Sequence, residues 1–463
     1  MLKAVVTAAS IVCKGRFMRS KVAIATASLA SVLVLASACS GSSGGTKSSS
    51  AAGTGASSSG GTTSTALDGG ITWATGKDNS GTLPYISAQW NKLHPSDKVT
   101  IHQQSSEADD QHSDLQQNFQ AKSSAYDVVT VDVVWTAEFA AKQWLLPLKG
   151  ANALDTAPLL PATVKAATYA GTLYAAPYAS DGGLLYYRKD LVKTPPTTYA
   201  GIISDCKSKT VSSIQSATLA KPACYAGQFK QYEGLTVNAA EAINSAGGSI
   251  VGSDGKTPDV DTSKAAAGLN FLVNGFKQGY IPKEALGYTE TESLNAFEGG
   301  QLMFMRNWPY ADAILGDRGT NKGSKVVGKY GIAPLPGLDG PGASSLGGHS
   351  NAISAYSKHP KTALAFLKFT ESDLIQRHDL TAGTLAPVTS GLYTNAALVK
   401  QFPYLPVLLK AIQKAVPRPV TPFYPAITTA IETNVYQALQ GKISTQQALS
   451  SLSKAITAAS QGS

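Results

Sequence analysis

The segment Tyr126–Leu148, YDVVTVDVVWTAEFAAKQWLLPL, constrains the fold more than any other stretch of this chain. Val128–Val131 is a run of β-branched residues and reads as a buried strand. Asp132 stands at its carboxyl end, Trp135 follows, then a helix, and an apolar turn ends in Pro147. The same alternation precedes it. Gly70–Trp73 reads as a strand, Leu83–Leu93 as a helix, Val99–Gln104 as an alternating strand and Gln111–Ala121 as a helix. A β-α-β-α-β order means a parallel sheet with crossover helices. Ligands of open α/β sheets bind just beyond the carboxyl ends of the strands. An acid and an indole at that place suit a polyol: the carboxylate accepts hydroxyl hydrogen bonds, and the indole covers an apolar C–H face.

The N-terminus reads as an export signal. Met18-Arg-Ser-Lys21 is a short basic segment, and Met18 begins a better signal than Met1 does. Val22–Leu35 is uncharged and apolar or small, too short to span a bilayer comfortably. It ends in Leu35-Ala-Ser-Ala-Cys39, which resembles a bacterial lipobox. Residues 1–38 are therefore expected to be a lipoprotein signal peptide and Cys39 the lipidated first residue. From Ser40 to Ala66 the chain is nearly all Ser, Gly, Thr and Ala, with Lys47 the sole charge. Such a segment buries no core. Residues 39–69 read as a flexible tether, with a root-mean-square reach of about 30 Å for a Gly/Ser coil. The expected place is the outer face of the cell membrane.

About 400 residues lie beyond the tether, too many for one simple core, so two lobes are expected. The formal charge of +9 overstates basicity, because five Lys and Arg and no acid fall within residues 1–38, leaving +4 on the rest. With no basic segment interleaved with aromatics, nucleic acid is not an expected partner. Cys206 and Cys224 flank a Lys/Ser/Thr-rich segment of an exported chain, so a disulfide is the default. No second Cys pair or spaced His accompanies them, and no metal or other cofactor is expected. Gly323–Lys329 matches most of a P-loop, but Tyr330 stands where Mg²⁺ needs Ser or Thr, so a surface loop is the better reading. A glycosidase would need two carboxylates straddling a bond. Asp132 with Glu290 or Glu292 could be posed that way, so a secreted carbohydrate-active enzyme is the competing class.

Farther along, Leu173–Pro177, a Gly-rich break at Ser180–Gly183 and Leu184–Arg188 read as strand, break and strand, suiting a crossing between lobes. Helices are expected at Leu235–Ala246, Ser263–Gln278, Thr291–Phe297, Thr362–Phe369, Pro403–Lys414, Ala426–Leu439 and Thr445–Ala459. Gln301–Met305 reads as a strand.

Three blocks carry a family resemblance: VDVVWTAEFA, the AFEGG and NWPY pair, and AVPRPVTPFY. The chain resembles the extracellular sugar-binding proteins of ABC importers, nearest to actinobacterial trehalose-binding lipoproteins, from about Gly70 to Ala459. The resemblance implies an α/β, two-lobe periplasmic-binding-protein-like fold of type II, maltose-binding-protein-like, with a ligand cleft between lobes. The lobes would comprise residues 70–179 with 347–402, and 180–346 with 403–463. It implies that Asp132 contacts a glucose, Trp308 stacks on a ring, Gly347 and Gly348 let backbone approach the ligand, and Arg418 donates to hydroxyls. An acid before the AFEGG helix end would also touch sugar; Glu292 is favoured slightly over Glu290. The relatives carry Asn where this chain has Asp181, which accepts but cannot donate when ionised. Asp78 and Asn79, in the loop after Trp73, and the aromatics Trp135, Tyr232 and Tyr424 complete the candidates. The expected function is capture of trehalose or a related α-glucoside disaccharide by a monomer. The partners would be ABC permease subunits with a separate ATPase. Another oligosaccharide, an amino sugar or a polyol is the alternative ligand.

Overall fold

The computed structural model describes residues 66–78, 80–208, 223–318 and 322–461. The signal segment, Cys39, nearly all of the tether and Asn79 lie outside the described residues. The described residues, from 66 onward, form one compact unit. The strands, in chain order, are β1 Ile71–Thr75, β2 Val99–Gln103, β3 Val128–Asp132, β4 Thr168–Tyr169, β5 Thr172–Leu173, β6 Ala175–Gly182, β7 Leu184–Arg188, β8 Ala223–Ala226, β9 Leu302–Asn307, β10 Tyr330–Ala333 and β11 Leu346–Ile353.

Two sheets carry the two lobes. The first has the order β2-β1-β3-β11-β6 and the second β10-β7-β9-β8. β1, β2 and β3 are mutually parallel, as their crossover helices require. β11 runs antiparallel to both β3 and β6, so the sheet is mixed rather than wholly parallel. β3 is buried along Val128–Val131, as a β-branched central strand should be. Beneath the first sheet, Trp73, Trp90 and Phe366 pack edge-on. The indole N–H of Trp73 donates to Thr130 Oγ1 at 2.8 Å and that of Trp90 to the Asp97 carbonyl at 2.8 Å, so neither buried ring leaves a polar atom unpaired. In the second lobe, helix Tyr424–Leu439 packs on Thr445–Gln461 and Glu233–Asn244, and Glu233–Asn244 packs on Ser263–Gln278.

The passage between lobes differs from the expected Gly-rich break. β6 runs unbroken through Ser180, Asp181 and Gly182, because these residues pair with Leu346–Gly348 of β11. Only Gly183 separates β6 from β7. A side chain at Gly183 would fall 2.3 Å from Glu241 Oε1, so no other residue fits against that carboxylate. Two more segments cross beside it. Ser344–Ser345 leads into β11, and Val416 runs parallel to it, its N–H donating to the Ser344 carbonyl at 2.8 Å.

Cys206, in helix Tyr199–Lys207, is bonded to Cys224 in β8. Gly323–Lys329 ends in a turn that runs straight into β10 rather than into a helix, so it lacks the architecture of a phosphate loop. Among the described residues, no helix is long and apolar enough to cross a membrane.

Candidate functional site

A cleft with a void of about 1980 Å³, open mouth included, lies at the carboxyl end of β3. Its wall draws on both sheets and on helix N-termini facing them. Asp132, Asp181, Tyr232, Glu290, Glu292, Trp308, Gly347, Gly348, Arg418 and Asp78 all line it. Two sequence candidates do not. Trp135 is 4% exposed and packs against Phe139 and His112 in the core. Its position three residues past the strand turns it back under the sheet. Tyr424 is 1% exposed and lies behind the wall, its hydroxyl donating to Glu233.

Asp132 ends β3, where its Oδ1 accepts the N–H of Val134 at 3.1 Å and Arg418 Nη2 at 3.0 Å. It thus serves both the turn after the strand and an ion pair across the cleft. Arg418 is 2% exposed and donates its Nη1 to Glu233, the first residue of helix Glu233–Asn244. One guanidinium therefore sits between two carboxylates. Its Nε–H is buried and has no acceptor among the described residues. Glu233 also accepts from Thr428 at 2.6 Å. Burial raises the Glu233 pKa, Arg418 opposes the rise, and Asp132 adds to it.

Trp308 follows β9. Its indole N–H donates to Glu290 Oε1 at 3.4 Å, and Glu290 Oε2 accepts the Tyr232 hydroxyl at 2.6 Å. The Arg306 guanidinium lies over the ring, 3.8 Å from its centre, so the indole offers a ligand only its other face. Arg306 itself is 1% exposed and is held bidentately by Glu241, at 2.7 and 2.6 Å, with Gln228 at 3.1 Å. This network was not legible in the sequence. Gly347 makes room for the indole: a Cβ there would come within 2.7 Å of the Trp308 ring and 3.1 Å of Asp181 Cβ. At Gly348, φ is +111° and a Cβ would meet the Ala179 carbonyl at 2.2 Å, so both the backbone conformation and the space demand glycine.

The acids before the AFEGG helix end divide the work in the opposite sense to that expected. Glu292 Oε2 accepts the N–H of Thr289 at 2.8 Å and its hydroxyl at 2.5 Å, completing a capping box on helix Glu290–Glu298. The Thr289-x-x-Glu292 spacing is the signal that could have shown this. Glu290 is the acid wired to the wall aromatics. Asp78 is likewise engaged: its carboxylate accepts the N–H groups of Ser80, Gly81 and Leu83 at 2.7–3.0 Å, ahead of helix Leu83–Leu93. Asp181 is the reverse case. It accepts no hydrogen bond from any described residue, and burial, with Asp132 nearby and Arg306 opposing, pushes its pKa up to about 7.

His349, opposite Asp132 across the β3–β11 ladder, also lines the cleft and was missed. Burial lowers its pKa, keeping the imidazole neutral, an effect that Asp132 opposes. Lys230, whose Nζ lies 2.7 Å from Glu107 Oε1, spans the cleft farther out. Asp109, Glu233 and Glu432 bring carboxylate oxygens within 4.8 Å of one another. Glu233 has already committed its oxygens to Arg418, Tyr424 and Thr428, so this trio is a point of like-charge repulsion rather than a formed metal cage.

The family model for bacterial extracellular solute-binding proteins matches residues 73–377. A probable ABC transporter-binding protein of Deinococcus radiodurans is 34% identical over 365 residues, covering 76% of this chain and 84% of that protein. The mannitol-binding protein of Pseudomonas aeruginosa is 26% identical over 352 residues, covering 70% of this chain and 78% of that one. The maltose-bound structure of T. maritima MalE3 superposes with a TM-score of 0.77 at 28% identity, covering 83% of this chain and 98% of that one.

Proposed function

Because the chain belongs to the bacterial extracellular solute-binding protein family, we propose that it captures a disaccharide in this cleft for an ABC importer. Trehalose is the first candidate and maltose-like α-glucosides the second. The relatives are transporter binding proteins, and the chain is a carrier of solute rather than an enzyme. Delivery would be to a membrane permease driven by a separate ATPase, from a monomer tethered at a lipidated Cys39. The proposed lobes are residues 70–179 with 347–402, and 180–346 with 403–463, except that Ser180–Gly182 complete β6 and so belong to the first sheet.

One observation carries the sugar reading: Trp308 stands on the wall with a single free face, flanked by the carboxylates of Glu290 and Asp181. A pyranose resting its C–H face on the indole would turn its rim of hydroxyls toward those acceptors. The buried Arg418 Nε–H, without an acceptor among the described residues, would find one in a sugar oxygen. The ligands in the relatives' names, the polyol mannitol and the disaccharide maltose, agree with that hydroxyl chemistry. The mechanism follows from where the groups sit. Asp132 and Asp181 belong to the first sheet, Trp308, Glu290 and Glu233 to the second lobe. A sugar that touches both sets favours the closed arrangement by its differential contacts alone.

Calorimetric titration of the body from Ser64 onward with trehalose, maltose, sucrose, maltotriose and mannitol tests the reading. Saturable binding of trehalose or maltose supports it. Binding of mannitol alone would leave a polyol carrier, and binding of none would remove the disaccharide assignment.

A further inference from the structure

Resting on that reading of the cleft, we propose that Asp181 is a specificity-determining counter-ion, and that the cleft prefers an α-glucoside bearing a protonated amine over its neutral counterpart. The argument begins with charge. Seven acids and three Lys or Arg residues line the cleft, so the wall carries an excess of negative charge among its described residues. Some of it is neutralised locally. Lys230 answers Glu107, and Arg418 answers both Asp132 and Glu233, leaving that trio one negative charge in excess. Arg306, the cation nearest in kind to Asp181, is already matched by a bidentate Glu241. Among the described residues, Asp181 is left with no donor.

Position adds to charge. Asp181 pairs with Gly347 in the β6–β11 ladder, and the place a Gly347 side chain would occupy touches both Asp181 Cβ and the Trp308 ring. Asp181 and the Trp308 indole thus both adjoin Gly347 and both line the cleft, an arrangement suited to a cation: the ring face attracts it and the carboxylate pairs with it. A neutral sugar supplies hydroxyl donors but leaves the charge uncompensated in a site that closure makes drier.

The groups that face Asp181 are Asp132 on β3, Arg306 on β9, Tyr310 after β9, Tyr186 on β7, and Tyr393 and Tyr404 from the segments beyond β11. The tyrosine pKa values are all raised, so these hydroxyls stay neutral near pH 7, where Asp181 titrates. The two ligand classes then give opposite slopes. A neutral sugar desolvates Asp181 and favours its protonated form, so binding takes up a proton and affinity falls as pH rises through about 7. An ammonium favours the carboxylate, so binding releases a proton and affinity rises over the same interval for as long as the ligand amine itself stays protonated.

The test is calorimetric titration of the protein with trehalose and with its four mono-amino-deoxy derivatives (amine at carbon 2, 3, 4 or 6), at pH 6 and pH 8. The expected result is at least one amine derivative binding about tenfold tighter than trehalose at pH 8, with slopes of opposite sign for the two. In Asp181→Asn the preference and both slopes should vanish. The slopes of the unaltered protein stand as a readout even if that variant fails to fold. Trehalose binding with every amine derivative weaker at both pH values overturns the counter-ion role while leaving the disaccharide reading intact. An amine derivative binding where no neutral disaccharide does supports Asp181's role and corrects the neutral ligand. Binding by neither class overturns both.

Discussion

Trp308 is the residue on which most of the proposed recognition turns, and its surroundings separate it from the other indoles. Trp308→Ala should lower sugar affinity about tenfold or more, since stacking is worth roughly 0.5–1.5 kcal/mol before lost area is counted. Its thermal midpoint should stay close to that of the parent, because the half-buried ring fills the cleft wall rather than a core. Unchanged affinity in calorimetry would make it a structural residue. Glu241→Ala should behave oppositely. Arg306 would be left buried and charged without its bidentate partner, a loss of about 3–5 kcal/mol, read as a lower midpoint in urea. A shift under 1 kcal/mol would mean that Gln228 and the Trp308 face suffice to hold the guanidinium. At this scale the sequence pointed to the wall residues but not to their engagements. Asp132 was legible because it ends a strand, and Trp308 and Arg418 were expected from the resemblance of the NWPY and AVPRPVTPFY blocks; all three line the cleft. The use of Asp78 and Glu292 as caps, and the burial of Trp135, depend on where a turn points a side chain, which spacing alone does not state.

Among the elements, β11 is the strand with least freedom. Gly348→Ala would place a methyl on the Ala179 carbonyl at positive φ, and should cost several kcal/mol or prevent folding; unaltered stability would mean that the β6–β11 ladder can shift register there. Gly347→Ala should instead displace Trp308 and weaken sugar binding more than stability, since the atom it meets is a side-chain ring. Reducing Cys206–Cys224 closes no loop in the unfolded chain and should cost about 3 kcal/mol for a ring of this length. Unfolding with and without reductant measures it. Most helices and strands were legible because their apolar period is clear, and Leu83–Leu93 and Ser263–Gln278 fell within the expected bounds. The continuity of β6 was not. Ser180, Asp181 and Gly182 have weak strand propensity, and they are extended because β11 supplies their ladder partners from more than 160 positions away.

For the whole molecule, the balance between open and closed lobes is set by contacts across the cleft. The exposed Lys230–Glu107 pair contributes at most about 1 kcal/mol, and Glu107→Gln should leave closure by sugar nearly intact in small-angle scattering. The acidic trio acts the other way. Burial first, and then Asp109 facing it, raises the Glu432 pKa to about 8. The burial belongs to helix Tyr424–Leu439 itself, so only the part of the rise due to Asp109, on helix Ala108–Gln120 of the other lobe, bears on closure: it leaves closure unopposed while Glu432 is protonated and opposes it as pH rises through about 8. The sugar-free protein should therefore be more open at pH 8 than at pH 5, and Glu432→Gln should flatten the difference; an equal radius of gyration at both pH values would show that the trio does not bear on closure. Trp308 has one more consequence. Of the five tryptophans, Trp73, Trp90 and Trp135 are sealed in cores and Trp144 packs against Phe119, leaving Trp308 alone on the cleft wall. The protein is thereby its own optical gauge: with the other indoles as a constant background, a change in ultraviolet emission on adding solute reports occupancy of this one surface, with no label attached.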